Sequence, residues 1–194
     1  MKDADGDTDT ATLTITITGT NDVPHITTDP GNPGGANDTV NEAGLAEGSH
    51  AGDGSNFAYG TFTISDSDGL SDIQSVTING ITIPIENLAG TVIPGSVLTI
   101  TSYDSATGVA HYMYDLNAPV TDVPGVPEVK VFTLTTTDIS GATSAPATIT
   151  IGINDDMPNA VNDSRTITED TAGAITGNVF ANDVHANGQP GADA

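Results

Sequence analysis

The chain has 194 residues and sets 26 Asp and Glu against three strong cations, Lys2, Lys130 and Arg165, for a formal charge of −23. Salt bridges cannot balance these acids, so compaction requires bound cations or charges that stay in solvent; the lack of basic patches excludes nucleic acid and anionic membrane surfaces as partners. There is no cysteine, which excludes disulfide staples and thiol chemistry.

Apolar residues make up 36% of the chain and aromatic residues 4%. Thr, Ile and Val dominate the apolar runs, which is the vocabulary of strands. No run is long enough to span a membrane, and the start lacks the basic, apolar character of a signal peptide, so membrane insertion is not expected.

In chain order, the first feature is DADGDTD at Asp3–Asp9, four aspartates alternating with small residues. TATLTITITGTNDVP follows, with Leu13, Ile15 and Ile17 alternating against Thr, the pattern of a half-buried strand. That stretch returns as APATITIGINDDMP, with Ile149, Ile151 and Ile153 in the apolar positions and a closing proline again. Pro24 and Pro158 lie 134 residues apart, and DADG at Asp3 recurs as DISG at Asp138. This internal repeat divides the chain. Residues 1–22 read as the closing strand of a preceding repeat, 23–156 as one complete repeat, and 157–194 as the truncated start of a following one.

Within the complete repeat, NEAGLAEG (Asn41–Gly48) offers at most a short turn and GTFTIS (Gly60–Ser65) a strand. SVTINGITIPI (Ser75–Ile85) is a hairpin, because Asn79-Gly80 supplies the two positive-φ residues of a type I′ turn. SVLTITSY and GVAHYMYDL form a second pair around Asp104–Thr107. EVKVFTLTTTD and the Ile149–Ile153 strand form a third. Short strands with turns at this spacing predict an all-β, antiparallel, Ig-like sandwich.

The acids gather at strand ends and turns: Asp3, Asp5 and Asp7; Asn21 and Asp22; Asp66, Asp68 and Asp72; Asn154, Asp155 and Asp156; with Glu42 and Glu169 downstream of the two Asn-Asp joints. Closely spaced hard oxygen ligands are what Ca²⁺ takes, six to eight at a time. Neither Asp3 nor Asp66 opens an EF-hand, since the twelfth positions are Thr14 and Thr77. The Asp66–Gly69 stretch reads equally as turn chemistry or as calcium ligands. GTNDVP and GINDDMP resemble the cadherin linker D-x-N-D-N-x-P, with Gly152 where its leading acid would stand. That linker joins acids of neighbouring domains around Ca²⁺, and Glu42 and Glu169 would supply the second side.

NEAGLAEGS, GTFTISDSDGL, VTINGITI, YDSATGVAHYMYDL and FTLTTTDISGATSAPATITIGINDDMP, in that order, resemble the Ig-like repeats of giant bacterial adhesins secreted by type I systems, the RTX and biofilm-associated adhesins. NAVNDSRTITEDTAGAITGNVFANDVHANG is similar to the opening of cadherin-like repeats in the same proteins. The resemblance implies a Ca²⁺-stiffened spacer at the bacterial cell surface. Its partners would be neighbouring repeats of the same chain and host or biofilm surface ligands. Ile139-Ser140 departs from the first copy's DADG turn.

Enzyme motifs are absent. His25, His50, His111 and His185 show no metal-ligand spacing, and there is no phosphate loop or nucleophile elbow. Tyr112 and Tyr114 share one strand face and are expected to fill the core. The competing function is a ligand-binding module that recognises glycan or peptide through loops such as Gly31–Asn56.

Overall fold

Alternation of β-branched residues with Thr builds strands whose apolar face needs a second layer to cover it. The computed structural model describes residues 2–16, 19–28, 38–121, 126–157, 161–167, 169 and 176–177. Among these, nine strands form: β1 (His25–Thr28), β2 (Asp38–Asn41), β3 (Phe57–Ser65), β4 (Ile73–Ile78), β5 (Ile81–Pro84), β6 (Leu98–Tyr103), β7 (Val109–Asp115), β8 (Glu128–Asp138) and β9 (Ala147–Asn154). One sheet has the order β1-β3-β7-β6 and the other β2-β9-β8-β4-β5. Lettered A, B, E and D, the first is the ABED sheet of an immunoglobulin domain, and β9-β8-β4 is its GFC sheet. The fold is an Ig-like β-sandwich.

The expected antiparallel sandwich forms, with one parallel pair at its edge. β2 runs parallel to β9, Asp38 beside Ile151 through Asn41 beside Asn154. The first edge of the chain is split, so that β1 closes one sheet and β2 crosses to the other.

The hairpin forms as read. Asn79 and Gly80 have φ of 48° and 81°, and Val76 and Ile78 pair with Ile83 and Ile81. The β6–β7 and β8–β9 pairs also form. NEAGLAEG makes a single 3₁₀ turn, Glu42–Gly44. The core lies between the two inner faces: Phe62, Ile64, Leu98, Ile100, Tyr112 and Tyr114 from one sheet, Val76, Ile78, Phe132, Leu134, Ile149 and Ile151 from the other. Tyr114 and Phe132 meet edge to face across it, centroids 6.1 Å apart. Both tyrosines are therefore packing residues.

The strand expected over Leu13–Ile17 is the one read as closing a preceding repeat. Residues 10–16 belong to no strand, and Leu13 and Ile15 are 84% and 75% exposed; Ile17 lies outside the described residues. A half-buried strand needs a neighbour and a face to cover. β9 has the same pattern and finds both in β8 and β2; residues 10–16 find neither among the described residues.

The sandwich has two poles. β8 runs about 35 Å, at ~3.4 Å per residue, from Glu128 to Asp138. The proximal pole carries the start of β1, the end of β3, the start of β4 and the end of β8, since His25 pairs with Ser65 and Ile73 with Asp138. The distal pole carries the ends of β2 and β9 and the start of β8. The chain arrives at one pole and leaves at the other.

Candidate metal centre

Three segments converge at the proximal pole. The first is the Asp66–Asp72 loop joining β3 to β4. The Asp68 N–H donates to Asp66 Oδ1 (2.8 Å), Gly69 takes φ of 101°, and its N–H donates to the Asp66 carbonyl (3.2 Å). The turn curls the loop on itself, so one carboxylate oxygen from each of Asp66, Asp68 and Asp72 lies within 4.8 Å of the others. The second segment is the incoming linker: the Asp22 N–H donates to Asp68 Oδ2 (2.7 Å) and Asn21 Nδ2 to Asp138 Oδ2 (2.8 Å). The third is the end of β8, where Asp138 is fully buried and its Oδ1 accepts the Ala142 N–H (2.8 Å). The Ile139 N–H donates to the Asp72 carbonyl (2.8 Å), tying that strand end to the loop.

Sequence reasoning named Asn21, Asp22, Asp66, Asp68 and Asp72, and the fold brings these five together. It missed Asp138. The available signal was the alignment of Asp138 with Asp3 in the repeat, but only the pairing of Ile73 with Asp138 sets that carboxylate beside Asp72.

The electrostatics are one-sided. Burial pushes the Asp72 carboxyl above its ordinary value, and Asp138, Asp66 and Asp68 add to the shift. The Asn21 side-chain hydrogen bond holds Asp138 below the usual range, helped by the backbone N–H groups of Ala142, Gly141 and Ser140. Asp66 Oδ2 and Asp72 Oδ2 are buried with no hydrogen-bond partner. Buried carboxylate oxygens without donors are costly, and a hard cation satisfies several at once. An all-oxygen set of this kind fits Ca²⁺, with Asp66, Asp68 and Asp72 as the residues that would hold it.

A second group, Asp3, Asp5 and Asp7, also brings three carboxylates within 4.8 Å of one another, fully exposed. Lys2 bridges Thr8, and Asp3 Oδ1 accepts the N–H groups of Gly6 (3.0 Å) and Asp7 (2.8 Å). A hydrogen bond shared with the Asp5 side chain, then the backbone N–H groups of Asp7, Gly6 and Asp5, hold the Asp3 carboxyl below its ordinary value. This loop is closed by its own backbone.

The distal pole is built differently. Asn154 Nδ2 donates to Asn41 Oδ1 (2.7 Å). Asp156 is buried and accepts from the Ser49 N–H (2.8 Å) and Ser49 Oγ (2.6 Å). Glu42 is buried at the end of β2, its Oε1 accepting the Val120 N–H (2.6 Å). The fold therefore does not bring Glu42 to Asn21 and Asp22, because β2 carries it to the opposite pole. Asp155 and Glu169 are exposed. Among the described residues no cluster of three carboxylates forms at the distal joint.

His25 and His111 are exposed, His50 Nδ1 lies 3.0 Å from Ser49 Oγ, and His185 lies outside the described residues. A cleft of about 520 Å³ opens near the distal pole, floored by Tyr114, Leu116 and Phe132 and bordered by Asn79, Val120 and Lys130. No helix among the described residues is long and apolar enough to cross a membrane.

No family model matches the chain, and neither does any curated protein. Solved structures to which the chain is similar include two. One is the fibronectin(III)-like modules of CbhA from Clostridium thermocellum, at 17% identity and a TM-score of 0.33, covering 68% of this chain and 47% of that one. The other is the PKD domain of an M14-like peptidase from a Thermoplasmatales archaeon, at 14% identity and a TM-score of 0.33, covering 70% of this chain and 99% of that one. The chain thus spans about half the length of the first. The immunoglobulin-like assignment rests on the strand order itself.

Proposed function

We propose that residues 23–156 are a calcium-stiffened spacer repeat of a bacterial cell-surface adhesin, working outside the cell in support of adhesion or biofilm formation, with no catalytic role. The observation that carries this reading is the tethering of the incoming linker to the acidic pole. Asn21 and Asp22 hydrogen-bond to Asp138 and Asp68, so a cation held by Asp66, Asp68 and Asp72 would stabilise the joint together with the loop. Because the chain arrives at one pole and leaves at the other, such beads in series extend rather than fold back. Neighbouring repeats would be the immediate partners, with surface ligands of a host or biofilm contacted elsewhere.

The test is amide exchange at the linker. Ca²⁺ should slow exchange at Asp22 and through the Asp66–Asp72 loop, while Mg²⁺ at the same concentration leaves them nearly unchanged. Equal exchange with and without Ca²⁺ would sink the metal-stiffened joint. The cleft near Tyr114 and Phe132 favours the ligand-binding alternative; saturable binding on a glycan array, lost on Lys130→Glu, would replace the spacer reading with it.

A further inference from the structure

Asn79-Gly80 closes the β4–β5 hairpin, and Asn-Gly is the dipeptide in which asparagine is chemically least durable. Glycine has no side chain to shield its backbone nitrogen, so that nitrogen reaches the asparagine side-chain carbonyl carbon and closes a five-membered imide. A C–N bond forms, the Gly80 N–H proton leaves with the side-chain nitrogen as ammonia, and water then opens the imide at either carbonyl. The products are an aspartate, or an isoaspartate whose backbone runs through the side chain. One water is consumed, one ammonia is released, and no other reactant is needed. Both residues are exposed, and a Cβ placed on Gly80 would meet nothing within 4 Å. Neither solvent access nor crowding restrains the reaction here.

Geometry restrains it instead. Asn79 and Gly80 have φ of 48° and 81°, the two positive-φ residues of a type I′ turn, in which ψ of the first is about +30°. At that angle an L residue holds the next nitrogen about 150° round the Cα–C bond from its own Cβ, whereas the imide needs the two eclipsed. The Asn79–Gly80 peptide must therefore turn over before the ring closes. That movement undoes the turn, on which the pairing of Ile78 with Ile81 and of Val76 with Ile83 depends. A second restraint holds the side chain. Asn79 Oδ1 accepts the Thr133 N–H (2.8 Å), and the Asn79 N–H donates to the Thr133 carbonyl (2.9 Å). The two bonds fasten the asparagine to β8, so the reactive carbonyl carbon is held by a neighbouring strand.

We propose that Asn79-Gly80 is a modification site gated by the fold: deamidation is blocked while the hairpin is closed and proceeds once it opens. The two products then differ in outcome. The aspartate product keeps an oxygen for the Thr133 N–H and tolerates the left-handed conformation, since Asp-Gly also makes a type I′ turn. The isoaspartate product adds a backbone carbon to a two-residue turn whose length sets the strand register. Ile81 and Ile83 then fall out of line with Ile78 and Val76. A bead that has opened and formed isoaspartate cannot close the hairpin again. The mark records opening, and it is independent of the calcium site and of the spacer reading.

Peptide mass analysis of the 194-residue chain tests it, resolved by site because Asn187-Gly188 repeats the dipeptide. The chain is incubated in mildly alkaline buffer and in the same buffer with enough urea to unfold it. Folding should slow deamidation at Asn79 by about tenfold or more, the factor given by an opening that costs about 1.4 kcal/mol. Hydrogen exchange at the Thr133 N–H, which reports the same opening, should be slowed by a similar factor. Ile83→Ala, which loosens the buried end of β5, or urea below the unfolding midpoint should speed both together. Asn79→Asp should leave the Thr133 N–H protected, while the isoaspartate fraction returned to buffer should leave it unprotected. Four results overturn the proposal. They are deamidation of the folded chain within about twofold of its rate in urea, faster Thr133 exchange with no change at Asn79, loss of Thr133 protection in Asn79→Asp, and an isoaspartate fraction that regains it.

Discussion

Adding Ca²⁺ to the metal-free chain should raise its unfolding temperature by about 10 °C. A cation that binds the folded state alone, at about 100 times its Kd, stabilises it by about 2.7 kcal/mol. The sandwich from β1 to β9 covers roughly 130 residues, and unfolding entropy near 60 °C is about 2.1 cal/mol/K per residue, so the domain's is about 270 cal/mol/K. The ratio gives the 10 °C. The assay is a circular-dichroism melt at 218 nm or so, where strand signal dominates, in EDTA, Ca²⁺ and Mg²⁺. Asp66→Asn/Asp72→Asn should remove most of the shift, because both residues contribute buried, unpartnered oxygens. Neutralising Asp3, Asp5 and Asp7 together should leave it in place, because that loop is exposed and apart from the sandwich. A midpoint that moves by less than about 1 °C with Ca²⁺, or a shift that survives Asp66→Asn/Asp72→Asn, refutes the assignment of the cation to this pole.

Without divalent cations, stability should fall on both sides of the ordinary aspartate range, read as denaturation midpoints from about pH 3 to about pH 7. Asp72 has a raised folded pKa, so the folded state holds a proton the unfolded state has released, and stability drops as pH climbs above 3.8; Asp72→Asn should flatten that limb. Asp138 has a lowered folded pKa, so its contribution is present above 3.8 and is lost as pH falls below it. Gly108→Ala should cost about 3 kcal/mol or more by chemical denaturation, because Gly108 has φ of 76° and an added Cβ would press on the Ile64 carbonyl; a loss below about 1 kcal/mol would mean the β6–β7 turn yields easily. Phe132→Ala should cost about 3–5 kcal/mol, measured the same way, since it removes the ring that meets Tyr114 between the sheets.

The hairpin, the two other predicted strand pairs and the Ig-like class were legible because each rests on local chemistry. Asn79-Gly80 needs no knowledge of the rest of the chain to make its turn, and β8 and β9 announce their buried faces by period alone. Alternation records a face that could be buried, while burial requires a neighbour that the pattern does not name. Five residues of the candidate metal centre were legible as acids and amides at turns, yet their assembly was not. Asn21 and Asp138 are 117 positions apart; only strand order, with β1 against β3 and β4 against β8, brings them to one pole. The same order separates residues that sequence spacing would join. Glu42 lies closer in sequence to Asp22 than Asp138 does, but β2 runs with β9 and delivers it to the far end, where it bonds to the Val120 N–H. At the distal joint, Asp156 accepts two hydrogen bonds from Ser49, whereas Asp66 and Asp72 at the proximal joint keep oxygens with no donor. A motif places carboxylates at a joint, and the donors around each one decide whether a cation is still needed.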